Sequence, residues 1–118
     1  PSTKRGKAAW NKRFGLNAYY AGKHWALRKK DAEFWHWLTL AAMNAQDIRR
    51  TPFKLPVAVT FYWNDRLDID NHAIMGKMIV DAMKGRVIED DNRRWLKSVS
   101  HNFHDEDYIQ VEIREVGP

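Results

Sequence analysis

Hydrophobic and polar positions change period several times along this chain, and each change marks an element. Phe34, Trp37, Leu38, Ala41 and Ala42 recur at i, i+3, i+4, i+7 and i+8, which predicts a helix from about Asp31 to Gln46 with one apolar face. Trp35 and His36 fall partly off that face, and Trp35 is expected to pack in the core or at a dimer contact. Pro52 and Pro56 then break the pattern. Val57, Val59, Phe61 and Trp63 alternate with Ala58, Thr60 and Tyr62, a strand apolar on both faces and therefore internal. A second helix is expected from about Asn71 to Lys84, with Ile74, Met75, Met78, Ile79 and Ala82 on its apolar side. Asp70 or Asn71 would cap its start and Gly85 would stop it. Gly76 in its middle costs about 1 kcal/mol relative to Ala, which predicts a close approach to a strand or to a partner helix. Trp95 to His101 reads as a strand and so does the alternation around Ile109, Val111 and Ile113; the short link His104 to Asp107 predicts that they form a hairpin. The expected class is α/β, a small mixed sheet packed by two helices.

Of the 118 residues, the first 30 carry nine basic side chains (Lys4, Arg5, Lys7, Lys12, Arg13, Lys23, Arg28, Lys29, Lys30) and no acid. The other 11 of the 20 basic residues share the rest of the chain with all 15 acids. A basic end on an acidic body suits a polyanionic partner, nucleic acid first, although a solvated tail would look the same. Residues 1–14 read as a basic, flexible segment and 15–118 as one domain. Within 10–25, Trp10, Phe14, Tyr19, Tyr20, His24 and Trp25 are interleaved with Lys, Arg, Gly and Asn in what reads as a loop. That mixture lets rings stack on bases while basic heads meet phosphates, and some of the rings, Trp25 among them, are expected to pack the core instead. There is no cysteine, so disulfides and thiolate metal sites are excluded; this fits a reducing cytosol. No apolar run approaches the ~18 residues of a membrane span, and the first residues lack the apolar stretch of a secretory leader.

Candidate chemistry concentrates in 68–91. Asp68 and Asp70 leave one face where the strand ends and the helix begins. Lys77 lies two helical turns on from Asp70, and Asp81 follows it at i+4. The pair Asp90-Asp91 is expected to fold back beside them. Clustered carboxylates repel unless a cation lies between them, and Mg²⁺ is the hard ion that takes such oxygens while keeping several waters. Three acids can hold one or two such ions; two would stabilise both the attacking and the leaving oxygen at a phosphodiester, and a nearby lysine can bind the phosphate or offset charge in the transition state. Plain helix caps and a surface ion pair are the alternative. A Ca²⁺ loop counted from Asp68 fails, with Ala73 where Gly is needed and Ile79 where Glu is needed. The PD-(D/E)-x-K type of nuclease is disfavoured too, since no acid-x-Lys element lies on a strand after the first acids.

The run Arg66-Leu67-Asp68-Ile69-Asp70-Asn71, then Lys77 with Asp81-Ala82-Met83, then Val87-Ile88-Glu89-Asp90-Asp91, resembles the RusA family of Holliday-junction resolvases. Gly15-Leu16-Asn17 through Lys23-His24-Trp25 and Arg28-Lys29-Lys30 is similar to that family's basic aromatic loop and first helix. The resemblance spans about 15–116, and 67–91 is its specific part. It implies a homodimeric RusA-like fold that nicks four-way DNA junctions with Mg²⁺, for which Mn²⁺ can substitute, in a bacterial or phage-encoded cytoplasmic protein. It also implies metal-binding, catalytic aspartates at Asp68, Asp70 and Asp91, with Asp90 as the fallback ligand, and an essential lysine at Lys77. Asn71 and Asp81 would support them. Tyr20, Lys23, His24, Arg28, Lys29 and Lys30 would contact DNA. Two departures stand out. The helix between Asn71 and Asp81 is about three residues longer than in some members, and Lys7 to Phe14 lacks the alternation of the family's opening strand. A non-catalytic DNA-binding module built on the basic N-terminal region is the alternative reading.

Overall fold

The structure is a computed structural model, and it describes residues 10, 14, 15 and 25–117. The chain forms helix α1 (Trp25–Ala45), strand β1 (Val57–Trp63), a 3₁₀ turn (Ile69–His72) running into helix α2 (Ala73–Met83), strand β2 (Leu96–Phe103) and strand β3 (Gln110–Glu115). The three strands pair in the order β2-β1-β3. β2 lies parallel to β1, Val59 opposite Val99 and Trp63 opposite Phe103, while β3 lies antiparallel on the other side, Val59 opposite Ile113. The expected small mixed sheet with two helices is present. The expected hairpin is not: β2 and β3 sit on opposite edges, because the link after β2 crosses the end of β1, where the His104 amide bonds the Trp63 carbonyl at 3.0 Å.

β1 is the central strand, as its sequence predicts, but helices cover only one of its faces. Val57, Val59, Phe61 and Trp63 are at most 1% exposed. Ala58, Thr60 and Tyr62 point the other way, beside the exposed Ser98, Ser100 and Asn102 of β2 and Gln110, Glu112 and Arg114 of β3. That second face is polar and, among the described residues, open. Ala58 is buried there, but Thr60 and Tyr62 are only half-buried and carry hydroxyls, which tolerate a half-open sheet.

α1 starts six residues earlier than its periodicity suggests and turns a different stripe inward. Asp31, Trp35 and Met43 are buried and Phe34 and Leu38 partly so, whereas Trp37 is 66% exposed and Ala41 and Ala42 face solvent. The helix is apolar around most of its circumference, so contacts decide its face. Trp35 meets Trp10 and Phe14 edge-on, at centroid distances of 5.3 and 5.4 Å. Aromatic packing therefore reaches into the segment read as flexible, since Phe14 is only 3% exposed.

α2 is flatter to its strand than a helix of large side chains could be. Met75, Ile79, Val80 and Met83 bury their side chains, and Gly76 faces the rings of Phe61 and His101. The helix ends as expected at Gly85, whose φ of 82° is cheap only for glycine. Its start differs: no side chain caps it, and the Asn71 amide bonds the Asp68 carbonyl at 2.9 Å within the 3₁₀ turn. Beyond α2, Arg86 donates to the Asn44 side chain at 2.7 Å and to the carbonyls of Ile48 and Arg49 at 2.8 and 3.2 Å, fastening the end of α1 to the turn. Val87 and Ile88 bury themselves beneath, and the Phe53 amide bonds the Val87 carbonyl at 2.9 Å.

A Cβ on Gly76 would stand 3.0 Å from His101 Cε1 and 3.2 Å from Phe61 Cε2, two rings stacked on each other at 5.3 Å. Phe61 is wholly buried and has nowhere to retreat. Gly76→Ala gains about 1 kcal/mol of helix propensity but forces an overpacking strain of about 1–3 kcal/mol. Denaturant unfolding is expected to show a net destabilisation of about 1 kcal/mol; a more stable variant would contradict this packing.

Candidate metal centre and the two acidic ends of the crossover

After β1 the chain leaves the sheet through a turn, 64–72, that carries Asp68 and Asp70. Both are exposed. The turn is pinned from below by a pair the sequence reading did not single out. His72 is fully buried and its Nε2 lies 2.8 and 2.9 Å from the two carboxylate oxygens of Asp65. Its Nδ1 donates to the Ile69 carbonyl, which can only accept, at 3.0 Å. Asp65 also accepts the Leu67 amide at 3.1 Å, and its side chain is 5% exposed.

The imidazole of His72 packs on Trp63 at 4.7 Å, edge-on to Phe103 at 5.6 Å and near His101 at 6.3 Å. Trp63 Nε1 donates to His101 Nδ1 at 3.0 Å. An indole can only donate, so His101 accepts there and keeps its proton on Nε2. Burial, and secondarily the charge of His72, push the His101 imidazole below its ordinary value.

The second acidic group lies elsewhere. Asp81 on α2 takes the Lys77 ammonium at 3.5 Å, the pair expected from their spacing, and the Lys84 ammonium at 3.3 Å. Lys84 also reaches Asp91 at 3.5 Å. Its hydrogen bond to Asp81 raises the Lys84 ammonium above its usual value. Desolvation acts to raise Asp91, but hydrogen bonding with Asp90 and the Lys84 charge outweigh it and hold the carboxyl below its usual value. Asp90 is occupied locally, accepting the Asp91 amide at 2.8 Å and the Asn92 side chain at 3.3 Å.

These two acidic groups do not converge within one chain. The parallel register puts the start of β2 beside the start of β1 and the end of β2 beside the end of β1. The Val57 amide bonds the Trp95 carbonyl at 2.9 Å, which fixes the Asp91 turn at the leading end of β1. Asp68 and Asp70 follow its trailing end, and a seven-residue strand spans about 20 Å. Among the described residues no three His, Cys, Asp or Glu side chains come together as a metal-binding group. The expectation that Asp68, Asp70 and Asp91 share one cavity is thus not met by a single protomer. The physical reason is the crossover itself, since a helix joining two parallel strands carries the chain from one end of the sheet to the other.

Two carboxylates on one turn still suit Mg²⁺, which is held by one or two carboxylates plus waters and substrate phosphate. Asn71 is half-buried beside them, and Lys77 is exposed halfway along α2. Arg28, Lys29 and Lys30 are exposed on the first turns of α1; Tyr20, Lys23 and His24 lie outside the described residues. No described helix is long and apolar enough to cross a membrane. Sequence spacing could not reveal Asp65 with His72, or Lys84 with Asp91, because each pair closes through a turn of irregular backbone.

His101 has a testable consequence. A histidine lowered in the folded state binds its proton more readily when unfolded, so stability rises with pH across the window between the two values. The protein should therefore lose stability as pH falls below the ordinary histidine value of 6.5. His101→Gln, whose side-chain oxygen can still accept from Trp63, should show a shallower loss in that window by thermal melting. Equal slopes for both proteins would rule out His101 as the source.

Comparison of the chain with known protein families, with curated proteins and with solved structures finds no match.

Proposed function

We propose that the protein is a Mg²⁺-dependent endonuclease that nicks four-way DNA junctions as a homodimer. The observation that carries the reading is the pair of exposed carboxylates, Asp68 and Asp70, on a turn anchored to the end of the central strand. The ordered set of residues from Leu67 to Asp91 that resembles the RusA resolvases supports it, as do the exposed Arg28, Lys29 and Lys30 at the start of α1.

Asp91 belongs to the reading only if a second copy supplies it. Among the described strands β2 is an edge, exposed along most of its length, with Val99 and Phe103 at 44% and 51%. Two such edges paired antiparallel about a two-fold axis run the start of one strand beside the end of the other. Asp91, just ahead of β2, then lies toward Asp68 and Asp70 of the second copy, whose turn packs against the end of its own β2 through His72 and Phe103.

In this arrangement Asp68 and Asp70 of one protomer, with Asp91 of the other, would hold the ion. The chemistry such an ion would supply there is activation of the attacking water and neutralisation of charge on the phosphodiester. The chain's own contribution is to present the ligands. Lys84 pairs with Asp91, and Lys77, exposed beside Asp81, would meet a phosphate. The basic first turns of α1 hold the DNA backbone, so affinity should fall steeply with salt. A junction has near two-fold symmetry, so a two-fold dimer sets one site on each of two opposed strands.

The test compares an end-labelled four-way junction with linear duplex of the same sequence, in Mg²⁺ and in EDTA. Paired nicks in the junction, present only with Mg²⁺, are expected. Asp70→Asn should bind the junction at least as well as wild type, since a negative charge near a polyanion is gone, yet fail to cut it. Junction binding without any Mg²⁺-dependent nicking would leave a non-catalytic DNA-binding module.

A further inference from the structure

The turn that carries Asp68 and Asp70 has little of its own to fix its shape. Its 3₁₀ segment is four residues long and has no side-chain cap, and the Asn71 amide bonds the Asp68 carbonyl at its start. Ile69, between the two acids, is 38% exposed. What closes the loop lies beneath it. Asp65 stands three residues before Asp68, and His72 two residues after Asp70. Their side chains meet through two oxygens, at 2.8 and 2.9 Å, while the same imidazole grips the Ile69 carbonyl from within the loop.

We propose that the Asp65–His72 pair is a positioning clamp that sets the spacing of Asp68 and Asp70 as ligands for a divalent cation. The proposal rests on the metal-site reading above and adds what makes that turn a site.

Three features of the pair support a positioning role over a purely structural staple. It is directional: a hydrogen-bonded contact with two oxygens fixes distance and orientation together, which apolar contact cannot. It is buried, His72 completely and the Asp65 side chain to 5% exposure, so water does not compete for it. It stands on a rigid base, because the His72 ring is wedged against Trp63 and Phe103, and Trp63 is itself tied to His101. Stability alone does not require such a pair, since apolar residues of similar volume generally serve as well or better in that place. A ligand set, by contrast, must be held to about 0.5 Å, and partners behind the ligands are how that is done.

The test uses the full chain and two readouts: Mn²⁺ binding followed by loss of the free-ion EPR signal, and the Mg²⁺ concentration for half-maximal junction nicking. Asp65→Leu/His72→Phe removes both partners at similar volume, so neither side chain is left unpaired, though the Leu67 amide and the Ile69 carbonyl lose theirs. It should fold with a modestly lower melting temperature, while Mn²⁺ affinity falls about 10- to 100-fold. The half-saturating Mg²⁺ should rise by the same factor, with the nicking rate at saturating Mg²⁺ nearly retained. If that variant does not fold, Asp65→Asn, which keeps the volume and one acceptor, is expected to weaken Mn²⁺ binding by a smaller factor. A folded variant with wild-type Mn²⁺ affinity would overturn the clamp and leave the metal site standing. A wild-type protein that binds no Mn²⁺ would overturn both.

Discussion

Parallel pairing of β1 with β2 is the constraint from which the rest of this structure follows. Parallel neighbours cannot be joined by a tight turn, so the chain must cross the sheet's length before β2 can begin. α2 makes that crossing, and it can lie close because Gly76 presents no side chain to the stacked rings of Phe61 and His101. The crossing sorts the acids. Those before the helix, Asp65, Asp68 and Asp70, belong to the trailing end of β1, and those after it, Asp90 and Asp91, to the leading end.

Each end handles its charge differently. At the trailing end Asp65 is spent on a buried histidine, and Asp68 and Asp70 stay in water. At the leading end Lys84 bridges Asp81 and Asp91, all three partly exposed, an arrangement that contributes little stability in water. A single protomer therefore carries two separate acidic groups, one at each end of β1. The proposed two-fold contact through the β2 edge would bring one copy's leading end toward the other's trailing end.

Elements whose burial is dictated by a single neighbour were legible in the chain. β1 and α2 appear where their alternation and periodicity place them, Gly85 ends the helix, and Gly76 meets a strand as its cost in a helix implies. Elements with competing choices were not. α1 has apolar residues on nearly every side, and the contact with Trp10 and Phe14 selected Trp35 over Trp37. The short link between β2 and β3 suggested adjacency, but β1 lies between them, since each outer strand gains more by pairing with the buried central one. Of the candidate site, Asp68, Asp70 and the Lys77–Asp81 pair were readable from spacing. Their separation from Asp91 depends on strand direction, which spacing does not encode.

The central claim is that one working site draws Asp70 from one protomer and Asp91 from another. Mixing two inactive variants tests it directly. Asp70→Asn and Asp91→Asn are each expected to be inert alone. Co-refolded at equal amounts, they form mixed dimers in which one site carries both changes and the other carries neither, so Mg²⁺-dependent nicking of a single junction strand should reappear. A mixture as inert as its components, with mixed dimers demonstrated by mass, would contradict the shared site.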